Sequence, residues 1–91
     1  TQMDVLVVGS RQVAELLPIP ECIEVMDSAL RALARDEAVL PLRTITWLPD
    51  RRGALGLMPG ALTSPAALGV KVVSVFPGNV RTEYESHQGG V

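Results

Sequence analysis

Two cationic residues lie within apolar stretches of this 91-residue chain, and their type and setting could support chemistry. Arg43 belongs to the stretch Leu42–Leu48, and Lys71 belongs to the stretch Leu68–Phe76. A charge on an apolar surface is costly unless an anion pairs with it. A guanidinium and an ammonium that converge can bind a carboxylate, and a lysine in such a setting can also transfer a proton.

The source of the anion is open on these residues alone. It could be an acidic side chain of the chain itself, such as Glu15, Glu24 or Glu37. The two long cationic side chains could also pack their stems and extend their charged ends into water. The third interpretation is a carboxylate that belongs to a ligand.

Two further positions offer groups that a ligand could contact. His87 is the only histidine, and it stands with Gln88 beside Gly89–Gly90. This composition suits the close approach of a ligand, and it also suits a flexible end or a structural histidine. Met58 precedes the bend at Pro59–Gly60, where a ligand could reach its side chain.

Other chemistries are disfavoured by the spacing of the residues they need. Cys22 falls on the apolar side of a predicted helix, where cysteine usually acts as a small hydrophobic residue. One cysteine and one histidine far apart cannot form a structural zinc site, so no metal is predicted. The N-terminal apolar run followed by Gly9 is similar to a dinucleotide-binding turn, but Arg11 and Ala14 stand where further glycines are required.

The elements that position these residues are predicted from hydrophobic periodicity and from Pro, Gly and Asp breaks. Residues 59–65 are expected to form an irregular connection, and residues 80–86 a loop. The predicted strands and helices are a strand at Asp4–Val8, helices at Arg11–Leu17 and Glu21–Val39, and strands at Leu42–Leu48, Ala54–Met58 and Leu68–Phe76. The sequence therefore predicts an α+β fold, with two N-terminal helices packed on a mostly antiparallel sheet.

The overall composition limits the classes of partner. Hydrophobic residues make up 47% and charged residues 20%, which is typical of a globular domain. A net charge of −2 with scattered cations disfavours nucleic acid, and no apolar run is long enough to span a membrane. The absence of a secretory signal and the single cysteine favour a cytoplasmic location. Exposed strand edges and a small core predict a homodimer.

Five segments of the chain, in this order, resemble the ornithine cyclodeaminase/mu-crystallin family. The matching segments are Pro18–Ile23, Pro41–Thr44, Leu57–Pro59, Gly69–Asn79 and Ser86–Gly89, so the resemblance extends over nearly the whole chain. It implies that residues 1–91 are an incomplete substrate-binding and dimerisation domain of a longer protein. That protein would also have a Rossmann domain, absent from this chain, which binds NAD or NADP.

The resemblance also implies roles for single residues. Arg43 and Lys71 would hold the carboxylate of a small amino, imino or keto acid, with Met58 lining the pocket. Lys71 would in addition be catalytic, by polarising the substrate or relaying a proton. His87 and Gln88 would lie near the nicotinamide or the substrate, as cofactor-binding residues.

Departures from the family pattern refine these expectations. Ornithine cyclodeaminases have an acid just before their Leu-Met-Pro motif, whereas this chain has Gly56 there, preceded by Ala54 and Leu55. A ketimine reductase or alanine dehydrogenase-like reaction on a less basic substrate is therefore expected. The chain alone is not expected to complete a catalytic site. The alternatives are a non-catalytic mu-crystallin-like binding protein and a structural dimerisation module.

Overall fold

The computed structural model describes residues 2–91, which form two α-helices and one five-stranded sheet. The helices are α1 (Ser10–Leu16) and α2 (Ile19–Ala34), and a short 3₁₀-helix spans Pro77–Arg81. The strands are β1 (Ala38–Val39), β2 (Thr44–Trp47), β3 (Ala54–Thr63), β4 (Ala66–Val75) and β5 (His87–Gly90). Every strand pair is antiparallel, which confirms the predicted α+β class.

The long helix α2 follows from its sequence. Pro20 lies in the first turn, where a missing backbone N–H costs no hydrogen bond, and Glu21 complements the positive end of the helix dipole. Asp27 and Arg31, one helical turn apart, form an ion pair at 3.0 Å. The prediction that this helix continues to Val39 is wrong, because Asp36 adopts a φ of 60° and turns the chain into β1.

The sheet is organised around β3, which has neighbours along both edges. On one side it pairs with β2 through residues 54–57 and with β1 through residues 61–62. On the other side it pairs along its whole length with β4. The strands predicted at Leu42–Leu48 and Ala54–Met58 correspond to β2 and the start of β3, which pair as a hairpin. Its turn holds the Arg51 guanidinium carbon 4.7 Å from the centre of the Trp47 ring.

The predicted irregular connection at residues 59–65 is wrong. Residues 59–63 extend β3, and only Ser64 and Pro65 separate it from β4. Proline is unfavourable inside a ladder because it cannot donate a backbone hydrogen bond. Pro59 is accommodated because residues 58–60 lie between the segments of β3 that pair with β2 and with β1, so this edge is open there.

The predicted strand at Asp4–Val8 is also wrong. Residues 2–9 have neither helical nor strand structure, and the side chains of Val5, Leu6 and Val7 are exposed. An extended apolar segment becomes a strand only when a neighbour accepts and donates its backbone hydrogen bonds. Within residues 2–91 no strand runs beside this segment.

The strand β5, which follows the 3₁₀-helix, was not predicted from the sequence. His87–Gly90 pairs with Val72–Val75 of β4, and Ser74 Oγ donates a hydrogen bond of 3.2 Å to the Gln88 carbonyl. The segment interpreted as a ligand-contacting or flexible end is therefore a strand of the sheet. This places both His87 and Gln88 on the same structural unit as Lys71.

Few side chains are buried in the part of the chain that is described. Ala32 of α2 and Ala54 of β3 are the buried hydrophobic residues, while Leu30 and Leu33 on α2 remain largely exposed. The end of α2 meets the sheet at β1 and leaves an open groove over β3 and β4. Neither helix in residues 2–91 has the length and apolar composition needed to cross a membrane.

Candidate functional site

Three of the residues singled out by the sequence lie in one row across the sheet. Met58 of β3 and Lys71 of β4 are directly paired, so their side chains leave the same face of the sheet. Arg43 precedes β2 by one residue. The β2–β3 register, in which Thr44 faces Leu57, brings Arg43 level with Met58 when continued by one step. We call Arg43, Met58 and Lys71 the cation row.

The spacing of the cation row suits a small anion. Neighbouring strands are about 4.8 Å apart, so the Arg43 and Lys71 backbones are separated by roughly 10 Å, with Met58 between them. Both side chains are long enough to lean toward the middle strand. A carboxylate above Met58 could then accept hydrogen bonds from a guanidinium on one side and an ammonium on the other.

One interpretation of the two cations was that each pairs with an acidic side chain of the chain itself, and residues 2–91 do not support it. Neither Arg43 nor Lys71 forms an ion pair with an acidic side chain there. Glu37, one of the partners considered, instead accepts a hydrogen bond of 3.1 Å from Arg35 and raises the pKa of that guanidinium. Both cations are exposed, so in the described chain their charged ends are available to water or to a ligand.

An apolar groove of about 520 Å³ opens beside the cation row. It lies between α2 and the sheet, and among residues 2–91 Lys71 is the only charged side chain that lines it. We define the apolar groove by six of its lining residues, which are Leu30, Leu33, Met58, Gly60, Gly69 and Lys71. A ligand held at Lys71 would therefore have an uncharged space next to it. Arg43 does not line this groove.

A second depression, of about 310 Å³, lies along β4 and β5. Lys71 belongs to its lining, as do His87 and Gln88. Val75 faces His87 in the β4–β5 register, so His87 is about four residues further along the sheet than Lys71, or roughly 13 Å. His87 and Lys71 therefore share this depression without being neighbours.

The register distinguishes the two β5 residues. Lys71, Val73 and Val75 share one face of β4, and His87 is paired with Val75, so His87 shares the face of Lys71. Gln88 is paired with Ser74 and belongs to the opposite face.

Local hydrogen bonds hold both β5 side chains. Ser86 Oγ lies 2.9 Å from His87 Nδ1, which leaves Nε2 of His87 available to a ligand. The Gln88 side-chain amide donates to the Glu85 carbonyl at 3.2 Å. His87 is therefore the better placed of the two to act on the same ligand as Lys71.

One feature of the site was not anticipated from the sequence. Gly60 and Gly69 are paired across β3 and β4, two residues from the Met58–Lys71 pair on the same face. The missing side chains leave the floor of the apolar groove bare at this point. A glycine inside an apolar strand often marks a place where another group approaches the backbone closely. This signal was missed because Gly60 is predicted to lie in a connection and Gly69 to begin the family segment Gly69–Asn79.

A metal site requires a cluster of ligating side chains, and a dinucleotide site requires a glycine-rich turn at the start of a helix. Residues 2–91 contain no cluster of three or more His, Cys, Asp or Glu side chains positioned to hold a metal. The start of α1 has Gly9 as its N-cap, with the Gly9 amide donating to Gln12 Oε1 at 2.8 Å. No second glycine follows within α1, so this turn does not fit the pyrophosphate of a dinucleotide.

Comparison with known proteins gives one match. Residues 3–90 match the profile of the ornithine cyclodeaminase/mu-crystallin family, which is nearly the full length of the chain. Neither a curated protein nor a solved structure matches the chain. The match includes the cation row and β5, and it agrees with the resemblance carried by the sequence motifs. The chain belongs to the ornithine cyclodeaminase/mu-crystallin family.

Proposed function

We propose that this chain supplies the carboxylate-binding part of an NAD(P)-dependent amino- or imino-acid oxidoreductase or deaminase. The observation that carries the proposal is the cation row, in which Arg43 and Lys71 stand on either side of Met58 without an acidic partner in residues 2–91. Family membership supports the same class of substrate. The ligand would be a small amino, imino or keto acid.

In this proposal the two cations have different tasks. The guanidinium of Arg43 is planar and can hold both carboxylate oxygens, which fixes the orientation of the acid. The ammonium of Lys71 is a compact charge that binds one oxygen and can also relay a proton to the reacting group. His87, on the same face of the sheet, would meet the far side of the ligand or the nicotinamide.

The cofactor is assigned to a different part of the protein. Residues 2–91 contain no glycine-rich turn that fits a dinucleotide, so apart from the contact proposed for His87 the role of this chain is to bind the substrate. The bound cofactor would supply or accept a hydride. The chain's own residues would hold the carboxylate and present the α-carbon.

Replacing Lys71 with methionine tests the catalytic part of the proposal. Loss of a charge-assisted hydrogen bond that is also used in proton transfer should lower kcat/KM by about 100-fold. The rate of NAD(P)-dependent turnover of amino or keto acids by the native protein at its natural length gives the measurement. Arg81→Met, which removes an exposed cation from the 3₁₀-helix, is the matched control and should retain activity.

An unchanged kcat/KM in Lys71→Met would refute both roles of the lysine. If the native protein binds an acid but turns over no cofactor, the mu-crystallin-like binding alternative would stand instead. If it binds no carboxylate at all, the chain would be a structural module. These three outcomes separate the hypotheses that the sequence left open.

We also propose that the chain functions as a homodimer. Its accessible area is 8104 Å² for a mass of 9.7 kDa. A folded monomer of this mass is expected to expose only about 5,100 Å². The difference is on the order of 3,000 Å² per chain, more than the roughly 1,000–2,500 Å² per partner of most obligate interfaces, so a second copy would cover part of it and the proposed cofactor domain the rest. The outer edge of β4 at residues 66–71, which has no neighbouring strand within residues 2–91, is one candidate surface.

A further inference from the structure

We infer that a second copy of this chain packs on the face of the sheet opposite to the cation row, so that the sheets of the two copies meet face to face. This gives the proposed homodimer a defined surface. The inference rests on the proposed function in one respect, because the cofactor domain is assigned to the other face from the place where the ligand is held.

Burial alternates along the first half of β3. Ala54 and Gly56, which share the face of Met58, are buried, whereas Leu55 and Leu57 leave the opposite face and are 42% and 38% exposed. Because β3 is paired with β2 on one side and with β4 on the other at these positions, the exposure is that of an open face and not of a strand edge.

The open face continues across β4 and carries no charge. Leu57 is paired with Val72, so the two residues share this face, and Leu68 lies two pleats further along β4 and is 88% exposed. Within residues 2–91, all the strand residues on this face are uncharged. We call Leu55, Leu57, Leu68 and Val72 the apolar sheet face. A contiguous exposed apolar surface of this kind marks a contact with another protein surface.

The chemistry of the apolar sheet face suits an identical partner. Two such faces related by a two-fold axis bury apolar groups against each other and leave no charge without a partner. β3 and β4 have ten residues each, so the face is about 34 Å long and, over three strands, roughly 15 Å wide. With its side chains standing out from the sheet, a face of this size approaches the ~800 Å² per partner of a standard interface.

The proposed cofactor domain belongs on the other face of the sheet. A ligand held at Lys71 lies on the face of the cation row, and hydride transfer requires the nicotinamide to contact its α-carbon. A domain on the apolar sheet face would be separated from the ligand by the sheet itself. With a second copy there instead, the two cation rows point away from each other, and each ligand keeps its own access to a cofactor.

Leu55→Thr tests the surface by weakening the contact in both copies while keeping a residue that favours strands. We expect the dissociation constant of the dimer to rise by at least 30-fold, because the loss of a buried leucine counts twice. Sedimentation equilibrium on the native protein at its natural length and on the variant gives the measurement. L-alanine, a small acid of the proposed class, should bind the variant within twofold of the native protein, as followed by titration calorimetry.

Two further variants keep the test specific. Leu30→Thr makes the same change at an exposed leucine of α2, in the apolar groove, and should leave the dimer unchanged. Val72→Thr preserves the shape of the side chain on the apolar sheet face and should weaken the dimer by about tenfold. It provides the same comparison if Leu55→Thr does not fold.

Three results would overturn the inference. The first is an unchanged dimer constant in Leu55→Thr and Val72→Thr. The second is dissociation by Leu30→Thr instead, which would place the second copy at the apolar groove. The third is a native protein that is monomeric, with a Tm lowered by Leu55→Thr, because another part of the same polypeptide would then cover the face. If no acid binds the native protein but Leu55→Thr still dissociates the dimer, the proposed function fails and the contact between copies stands.

Discussion

Arg43→Met is expected to weaken the binding of L-alanine by about 50-fold. The guanidinium of Arg43 is proposed to make two hydrogen bonds to the ligand carboxylate, and because it is exposed the pair together is expected to contribute about 2.3 kcal/mol, within the roughly 1.5–3 kcal/mol of a single hydrogen bond to a charged group. Arg43→Lys keeps the charge but loses the planar fork, so a smaller loss of about tenfold is expected. Titration calorimetry on the native protein and the two variants gives the comparison.

Two controls make this result specific to the carboxylate. Arg11→Met removes a cation from α1, outside the sheet, and should leave the dissociation constant unchanged. L-alaninamide lacks the carboxylate and should bind the native protein and Arg43→Met equally weakly. If L-alanine binds Arg43→Met as well as it binds the native protein, Arg43 is not a ligand-binding residue.

Gly89→Ala is expected to detach β5 from the sheet. A Cβ at this position would meet the carbonyl oxygen of Val72 and would lie 2.8 Å from the Cα of Val73, so the obstruction is backbone and cannot rotate away. Overpacking of this kind costs about 3 kcal/mol. Those backbone amides of Val72–Val75 that bond to β5 should exchange about 100-fold faster, as followed by hydrogen exchange, because this part of β4 would keep only β3 as a neighbour.

Gly90→Ala is the matched control for this prediction. Gly90 belongs to the same strand and is paired with Val72, but a Cβ there would meet no atom within 4 Å. Its amide exchange should equal that of the native protein. Equal exchange in Gly89→Ala and Gly90→Ala would contradict the close approach of β5 to β4. It would also remove the argument that β5 holds His87 on the face of Lys71.

The fold could be predicted in part from local patterns. α2 has apolar residues at three- and four-residue steps, with an acid at its start and an internal ion pair, and all of this is encoded within the helix itself. The β2–β3 hairpin is likewise encoded by its polar turn. The strand expected at Asp4–Val8 failed because a strand depends on a neighbour that its own sequence does not specify.

The second half of β3 and the strand β5 were missed for the same physical reason. Pro59 argues against a strand unless an edge is open beside it, and that opening exists only because β1 and β2 stop on either side. β5 is short and contains two glycines, which are poor strand formers, so its pairing with β4 decides its structure. These are tertiary effects, and they outweigh local preference.

The roles of the candidate site residues stay predictions, and the structure supplies only their positions in the sheet. Arg43 and Lys71 were identified because a cation on an apolar strand needs an explanation, and this argument depends only on strand alternation. The sequence did not reveal that Met58 would lie between them, because that follows from the registers of two hairpins. The apolar groove requires α2 to stand over β3 and β4, which no local pattern specifies.

The most direct test of the central claim is a double-mutant cycle on Arg43 and Lys71. The dissociation constant of L-alanine would be measured for the native protein, Arg43→Met, Lys71→Met and the double variant. If both cations hold one carboxylate, the loss in the double variant should be at least fivefold smaller than the product of the two single losses, because residues that share a partner are coupled. Two single losses that simply multiply, or no loss in either variant, would contradict a shared carboxylate site.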